Sequence, residues 1–552
     1  MRYRTAAAPC TAHGAVFYIQ IPISCVAYVE RGIERNPVVA KIISPTVEWN
    51  NVIAQTRALV PEAFSSDGRV LNLIEGAWGH PGNGKTVISP IDGTQLGSLP
   101  MIDLDEAKRA VKYCAVEFKT WSKVSLDQRK QKVTDTLAAL KQHRDLIGRL
   151  LMWEIGKPYA TAMTDVDRCI SGVEWYVEQI DTQMAGRTPL GVISNIASWN
   201  YPLSVLVHSM LVQVLAGNSV IAKTPTDGGL YALTVSLALA RRCGLPVSLV
   251  SGSGGQLSEA LVRNHDVDCL AFVGGKSNGR DIAASLYDRD KRYMLEMEGV
   301  NVYGIWEYSN WDDLASQIKK GYDYGKQRCT AYVRFAVQRQ LFPKFLEMYI
   351  PVLKSIKYGN PTLVDHADDP LPSLDFGPLI NSRKVEELRV MKSEAISLGA
   401  LGLFEASIDE SLFLPGQDTS AYFGPNSVLN VPRAAKLHHN EPFGPLDTVV
   451  VVDRVEELVA EMNISNGSLV SSLATDDDRV AKEISGDLRS YKVGVNKIRS
   501  RGDRDETFGG IGNSWKGCFV GGKYLVHSVT VGQPGERLVG NFPDYTLLPE
   551  VR

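Results

Sequence analysis

Four short segments of this 552-residue chain carry the side chains that could do chemistry. Gly325-Lys326-Gln327-Arg328-Cys329-Thr330-Ala331 holds a cysteine, which is either a nucleophile or a small apolar side chain suited to a core. Leu295-Glu296-Met297-Glu298-Gly299 holds a carboxylate after a strand-like run, either a proton acceptor or a surface charge. In Ser198-Trp199-Asn200-Tyr201-Pro202-Leu203 an asparagine precedes a long helical stretch, the ordinary place of an N-cap. Asn440-Glu441-Pro442-Phe443-Gly444-Pro445 alone reads as a turn. Metal chemistry has no such support. Cys10, Cys25, Cys114, Cys169, Cys243, Cys269, Cys329 and Cys518 form no CxxC pair, and the nine histidines form no HExxH. His438-His439 reads as a solvated loop pair. Sparse cysteines also argue against a disulfide framework and for a reducing compartment.

Together, in this order and at this spacing, the segments resemble the aldehyde dehydrogenase superfamily. The resemblance runs from about Arg69 to Gly532, and Glu296 lies 33 residues before Cys329, as the base and nucleophile of that family do. Glu154-Ile155-Gly156-Lys157-Pro158, Ala216-Gly217-Asn218-Ser219-Val220-Ile221-Ala222-Lys223, Ser251-Gly252-Ser253-Gly254 and Phe508-Gly509-Gly510 with Ser514 agree with it. The resemblance implies NAD(P)-dependent oxidation of an aldehyde to its acid. The Cys329 thiolate would add to the aldehyde carbon, giving a thiohemiacetal. The Asn200 amide and the Cys329 N–H would face the oxyanion, where losing one donor typically costs about 10²–10³ in rate. Hydride transfer would leave a thioester, and Glu296 would activate the water that hydrolyses it. Coenzyme A-acylating relatives commonly lack that base, so acylation is the lesser alternative; a catalytically impaired scaffold is another.

By matching positions, Trp199, Lys223, Thr226, Gly254, Gly274, Glu441 and Phe443 would meet NAD or NADP. Thr226 stands where many NAD-preferring relatives carry glutamate, so acceptance of NADP is expected. Some motifs are closest to non-phosphorylating glyceraldehyde-3-phosphate dehydrogenases: Gln327 to Ala331, Asn200-Tyr201-Pro202, and Lys223 to Thr226. Arg501, seven residues before Phe508, would then bind an anionic substrate group, with Tyr201 and Arg328 as helpers. The segment RSRGDRDE reads equally well as a solvated loop of internal ion pairs. Departures are visible. Gly275 replaces a serine that normally bonds a phosphate. LEMEGV replaces LELGGK, so Glu298 takes the place of a glycine and Val300 that of a lysine. Lys326 replaces a glycine three residues before the cysteine, and a Glu298–Lys326 ion pair would reconcile two of these changes.

The elements that must position these residues are legible in outline. Residues 71–100 read as short strands and turns, and 103–185 as helices, with Gly156 and Pro158 as a stop. From 189 to 300, short apolar runs (GVISNIA, SVIAK, VSLVSGSG, DCLAFVGG) alternate with helical stretches, the pattern of βαβ units and a parallel sheet. A second α/β unit begins at 302–306 and 332–338, with LDTVVVVD and KVGVN as later strands. The expected fold is therefore α/β: an open twisted-sheet cofactor domain, an α/β catalytic domain and a small arm. Boundaries fall at 1–60 (extension), 61–298 (cofactor domain), 299–515 (catalytic domain) and 516–552 (C-terminal oligomerisation arm). Only 20 residues separate Gln179 from Asn200, where relatives have about a dozen more forming an oligomerisation hairpin. A homodimer or other homo-oligomer is expected. With 59 basic and 62 acidic residues, no electrostatic footprint for nucleic acid exists. Residues 14–29 are apolar but too short for a membrane span. They suggest a docked extension of a cytoplasmic protein or, alternatively, an organellar transit segment.

Overall fold

The computed structural model describes residues 41–82, 84–464, 468–499 and 504–539. The apolar stretch 14–29 and Arg501 lie outside these residues. Two sheets organise the chain. The first has eight strands in the order Trp515–Gly517, Arg292–Met297, Cys269–Gly274, Val192–Ile196, Ser219–Lys223, Val247–Val250, Asn72–Ile74 and Ala77–Gly79. Its five central strands, from Arg292–Met297 to Val247–Val250, are mutually parallel, and antiparallel strands close both edges. Ser219–Lys223 and Val247–Val250 are buried along their whole length, as strands covered on both faces must be.

The second sheet has seven strands, in the order Leu401–Glu405, Asn426–Leu429, Leu446–Val452, Tyr332–Gln338, Asn301–Ile305, Ser468–Ala474 and Ser490–Val495. All are parallel to their neighbours except the edge strand Leu401–Glu405. Helices precede and cover the first sheet. Leu104–Trp121 opens with a reciprocal capping box between Asp103 and Glu106. Arg144–Ile155 stops at Gly156, whose φ of 70° suits glycine.

Two segments are more deeply built in than the sequence suggested. Residues 41–60 belong to the compact body: Ile42–Ile43 pairs with Leu363–Val364, and the Trp153 indole donates to the Val47 carbonyl at 2.6 Å. The segment after 515, expected as an arm, supplies the edge strand Trp515–Gly517 and buries Phe519, Val526 and Val529 in the main core. Thr530–Val531 then pairs with Thr188–Pro189, and Arg187 forks onto Glu536.

Candidate active site

Parallel strands of an open α/β sheet present their carboxyl ends to one edge, where ligands bind. Glu296 and Gly274 lie at the ends of their strands, Lys223 ends a third, and Asn200 follows Val192–Ile196. Cys329 comes from the other side, between the turn Asp323–Lys326 and the strand Tyr332–Gln338 of the second sheet. Between them is a cavity of about 830 Å³, lined by Trp199, Asn200, Tyr201, Gly274, Glu296, Arg328, Cys329, Glu441 and Phe443 among others.

At its centre the Cys329 thiol donates to Glu296 Oε1 at 2.9 Å. Cys329 is half-buried, whereas Glu296 is 3% exposed. Asn200 is not an N-cap: Tyr201 holds that position before the π-type turn Pro202–Val207, without a capping bond. The Asn200 amide instead donates to the Gln327 carbonyl at 3.0 Å, tying the first sheet to the cysteine turn. An amide nitrogen has two hydrogens, so this bond leaves one for another acceptor. Asn301 fixes the far side of the turn by donating to the carbonyls of Cys329 (2.7 Å) and Ala331 (2.9 Å).

One wall is aromatic and acidic. Phe443 (φ 51°) meets Trp199 edge-on at 5.9 Å, and Trp199 meets Tyr324 at 6.3 Å. Glu441 is buried, and neither carboxylate oxygen has a hydrogen-bond partner in full geometry. Burial pushes its pKa well above the usual carboxylate range; Glu298 adds to this, and Lys384, the Gly299 N–H and Lys276 oppose it. Glu298 Oε1 accepts from the Lys276 N–H at 3.3 Å, so a carboxylate sits on the N-terminus of the helix Lys276–Ser285. Gly274 allows close packing, since a Cβ there would stand 2.7 Å from the Phe272 ring.

Lys223, Thr226 and Gly254 do not line this cavity. Lys223 is buried and donates to the Thr224 carbonyl at 3.0 Å; burial lowers its pKa to about 8. Thr226 is exposed, and its neighbour Asp227 lines the cavity while pairing with Lys85 and Arg383. Gly254 opens the helix Gly254–Leu261, with open space where a Cβ would be.

Tyr201 and Arg328 also line the cavity, with Arg168 and Arg504, which the sequence did not single out. Arg328 donates to the Gly321 carbonyl at 2.8 Å, and its buried Nε has no partner. Lys157 lies 3.9 Å from the Tyr201 ring centroid and pairs with Asp165 at 2.9 Å, both side chains fully buried. Within RSRGDRDE, Arg499 pairs with Glu506, which also pairs with Lys492 outside the segment, so part of that segment is tied by ion pairs.

Two expectations are corrected. The Glu298–Lys326 pair does not form: Lys326 is buried against Asp447, and Glu298 faces the Lys276 N–H. His438 is not a solvated loop residue. It lies in the short helix Lys436–His439, 4% exposed, with Nδ1 3.0 Å from the Val431 carbonyl; only His439 is exposed. Among the described residues no cluster of histidine, cysteine and carboxylate side chains could hold a metal ion, and no helix is long and apolar enough to cross a membrane.

The chain has known relatives in sequence and in fold. The chain is 26% identical to D-glyceraldehyde dehydrogenase (NADP(+)) of Picrophilus torridus, over 77% of this chain and 87% of that protein. It is 26% identical to NADP-dependent glyceraldehyde-3-phosphate dehydrogenase of Pisum sativum, over 86% and 96%. The crystal structure of NADP-dependent glyceraldehyde-3-phosphate dehydrogenase from Bacillus halodurans, complexed with NADP, has the same fold, with a TM-score of 0.75 at 24% identity over 86% of this chain and 99% of that one. The model of the aldehyde dehydrogenase family matches residues 79–532. With that match spanning most of its length, the chain belongs to the aldehyde dehydrogenase family.

Proposed function

We propose that the chain oxidises an aldehyde to the carboxylic acid with NAD or NADP, through a thiohemiacetal and a thioester on Cys329. The observation that carries this reading is the 2.9 Å contact between the Cys329 thiol and Glu296, inside a cavity that also holds Asn200. Glu296 accepts the thiol proton, and the sulfur adds to the carbonyl carbon. The second Asn200 N–H and the Cys329 N–H are the donors for the resulting oxyanion. After oxidation Glu296 passes the thiol proton on to solvent, and water then attacks the thioester carbon and gives a proton to the freed carboxylate. The carbon–sulfur bond breaks, and the acid leaves with the thiol restored.

The residues present suit a dinucleotide. Glu441 is a buried carboxyl group facing the cavity, and its oxygens are natural acceptors for ribose hydroxyls. Trp199 and Phe443 form an aromatic wall beside it. Lys223, Thr226 and Gly254 are the residues for the adenosine half. When bound, the cofactor supplies a two-electron hydride acceptor. Thr226 puts no carboxylate against a 2′-phosphate, which supports use of NADP, the cofactor named for both relatives. Arg168 and Arg328, near Tyr201 in the same cavity, support an aldehyde bearing a phosphate or carboxylate, with Arg501 as the third arginine of that reading. A homo-oligomer belongs to the same reading and rests on the family resemblance.

A turnover screen tests the proposal. Neutral and anionic aldehydes are offered with each cofactor, and absorbance of the reduced nicotinamide is followed. Turnover is expected with an anionic aldehyde and NADP, and Cys329→Ala should abolish it. Undiminished steady-state turnover in Cys329→Ala removes the reading.

A further inference from the structure

The turn that presents Cys329 has an uncommon backbone. Tyr324, Gly325 and Lys326 have φ of 58°, 61° and 58° in succession. Glycine takes this conformation freely, but other L-residues pay roughly 1–2 kcal/mol each. Lys326 occupies one of the three positions, where the family resemblance places a glycine.

Lys326 is 1% exposed. Its ammonium donates to the Asp447 carboxylate and, at 2.9 Å, to the Tyr332 carbonyl. The Nζ also lies 4.1 Å from the Tyr322 ring centroid and 5.2 Å from that of Phe335. Asp447, fully buried, accepts further hydrogen bonds from the hydroxyls of Tyr322 (2.6 Å) and Tyr349 (2.9 Å). Tyr332 begins the strand Tyr332–Gln338, and Asp447 lies in Leu446–Val452, which pairs with it. One ammonium therefore binds the cysteine turn to two adjacent strands of the second sheet.

A buried ion pair is weak support for stability, because removing both charges from water costs about as much as their attraction returns. Burial draws the Lys326 ammonium toward its neutral form, and Asp447 draws it back. The presence of such a pair three residues from the thiol is better explained by geometry, since a displacement of about 1 Å at a reacting centre can cost about 10²-fold in rate.

We propose that Lys326 and Asp447 form a positioning pair that pins the turn bearing Cys329 to the second sheet and so fixes the nucleophile against Glu296 and Asn200. The proposal rests on the reading of Cys329 as the nucleophile.

The test is the neutral double variant Lys326→Met/Asp447→Asn. Methionine keeps the length of the side chain and the same positive-φ cost. Asparagine keeps an acceptor for Tyr322 and Tyr349, so no buried charge is left unpaired. The expected result is a folded protein whose kcat falls about tenfold or more while the cofactor Kd changes less than about twofold. Amide hydrogen exchange should accelerate in peptides covering 322–332 and not elsewhere. The single variant Asp447→Asn, with an unpaired ammonium, should show the same local exchange with a lower Tm. Wild-type kcat and unchanged exchange at 322–332 in the folded double variant would overturn the pin. So would a loss spread equally over kcat, cofactor Kd and exchange across the whole chain, which marks a general packing defect. Cys329→Ala is measured in parallel: turnover there defeats the nucleophile reading, whereas the exchange data judge the pin independently.

Discussion

The Cys329 thiol already has a proton acceptor in place at 2.9 Å, so Glu296 stands at both proton-transfer steps of the proposed cycle. The two steps need not be equally sensitive to its loss. A thiol ionises appreciably near neutral pH without help, whereas water does not. Glu296→Gln should therefore still acylate and release one equivalent of reduced cofactor in a rapid burst. Its steady-state rate should then fall by about 10²–10⁴. Stopped-flow absorbance resolves the two phases; wild-type steady-state turnover would defeat the assignment. At this scale the sequence was informative where order and spacing mattered. Cys329, Glu296 and Asn200 were singled out from their segments, and they line one cavity. It was uninformative about partners distant along the chain. Lys326 and Asp447 lie 121 residues apart, and nothing local in either segment announces the pair, whereas Glu298 and Lys326 both depart from the family motifs and so suggest each other. Asn301, which holds the Cys329 carbonyl, was invisible for the same reason.

Elements were legible wherever an apolar run or a helix stop set them. SVIAK is the strand Ser219–Lys223 residue for residue, and Gly156 ends its helix. Strand neighbours were not, because edge pairing depends on segments far apart: Trp515–Gly517 returns to the first sheet beside Arg292–Met297. The substituted motifs matter at this scale too. Helix Lys276–Ser285 begins at the cavity edge with Gly275, and its N-terminus carries partial positive charge that favours an anion. Glu298, in the place of a family glycine, puts its own carboxylate there, and it also faces the buried Glu441. A cofactor phosphate near this terminus would compete with that carboxylate. Glu298→Gly should therefore tighten binding of NADP and NAD by about twofold to fivefold, from the roughly 0.3–1 kcal/mol that a charge gains at a helix end. Calorimetric titration of the full chain measures it. Unchanged or weaker binding in the variant would show that Glu298 assists the cofactor or stands clear of it.

Across the whole molecule, the second sheet carries buried charge that makes its stability sensitive to acid. Arg334 is fully buried in the strand Tyr332–Gln338, donating to the His438 carbonyl at 2.8 Å and reaching Glu461 at 3.3 Å. The His438 ring next to it has Nδ1 3.0 Å from the Val431 carbonyl, while Nε2 is buried without a partner. That geometry suits the neutral ring, with the proton on Nδ1. Burial, and then the Arg334 charge, push the pKa of His438 down to about 4 from an ordinary 6.5. Above pH 6.5 the ring is neutral in both folded and unfolded chains and contributes no pH dependence. Between 6.5 and about 4 the unfolded chain binds a proton that the folded chain refuses, so stability falls as pH falls, by at most about 3 kcal/mol over that window. Carboxylates paired in the folded state add to acid loss mainly below this range, so the comparison must isolate the histidine. His438→Gln keeps an N–H donor for Val431 but cannot take up a proton. Thermal unfolding of both proteins from pH 7.5 to 4.5 should show Tm of the wild type falling more steeply, with the two curves converging or crossing as pH drops. Parallel curves across that range would mean that His438 accepts its proton in the folded chain, and that the region around Arg334 opens to water below pH 6.5.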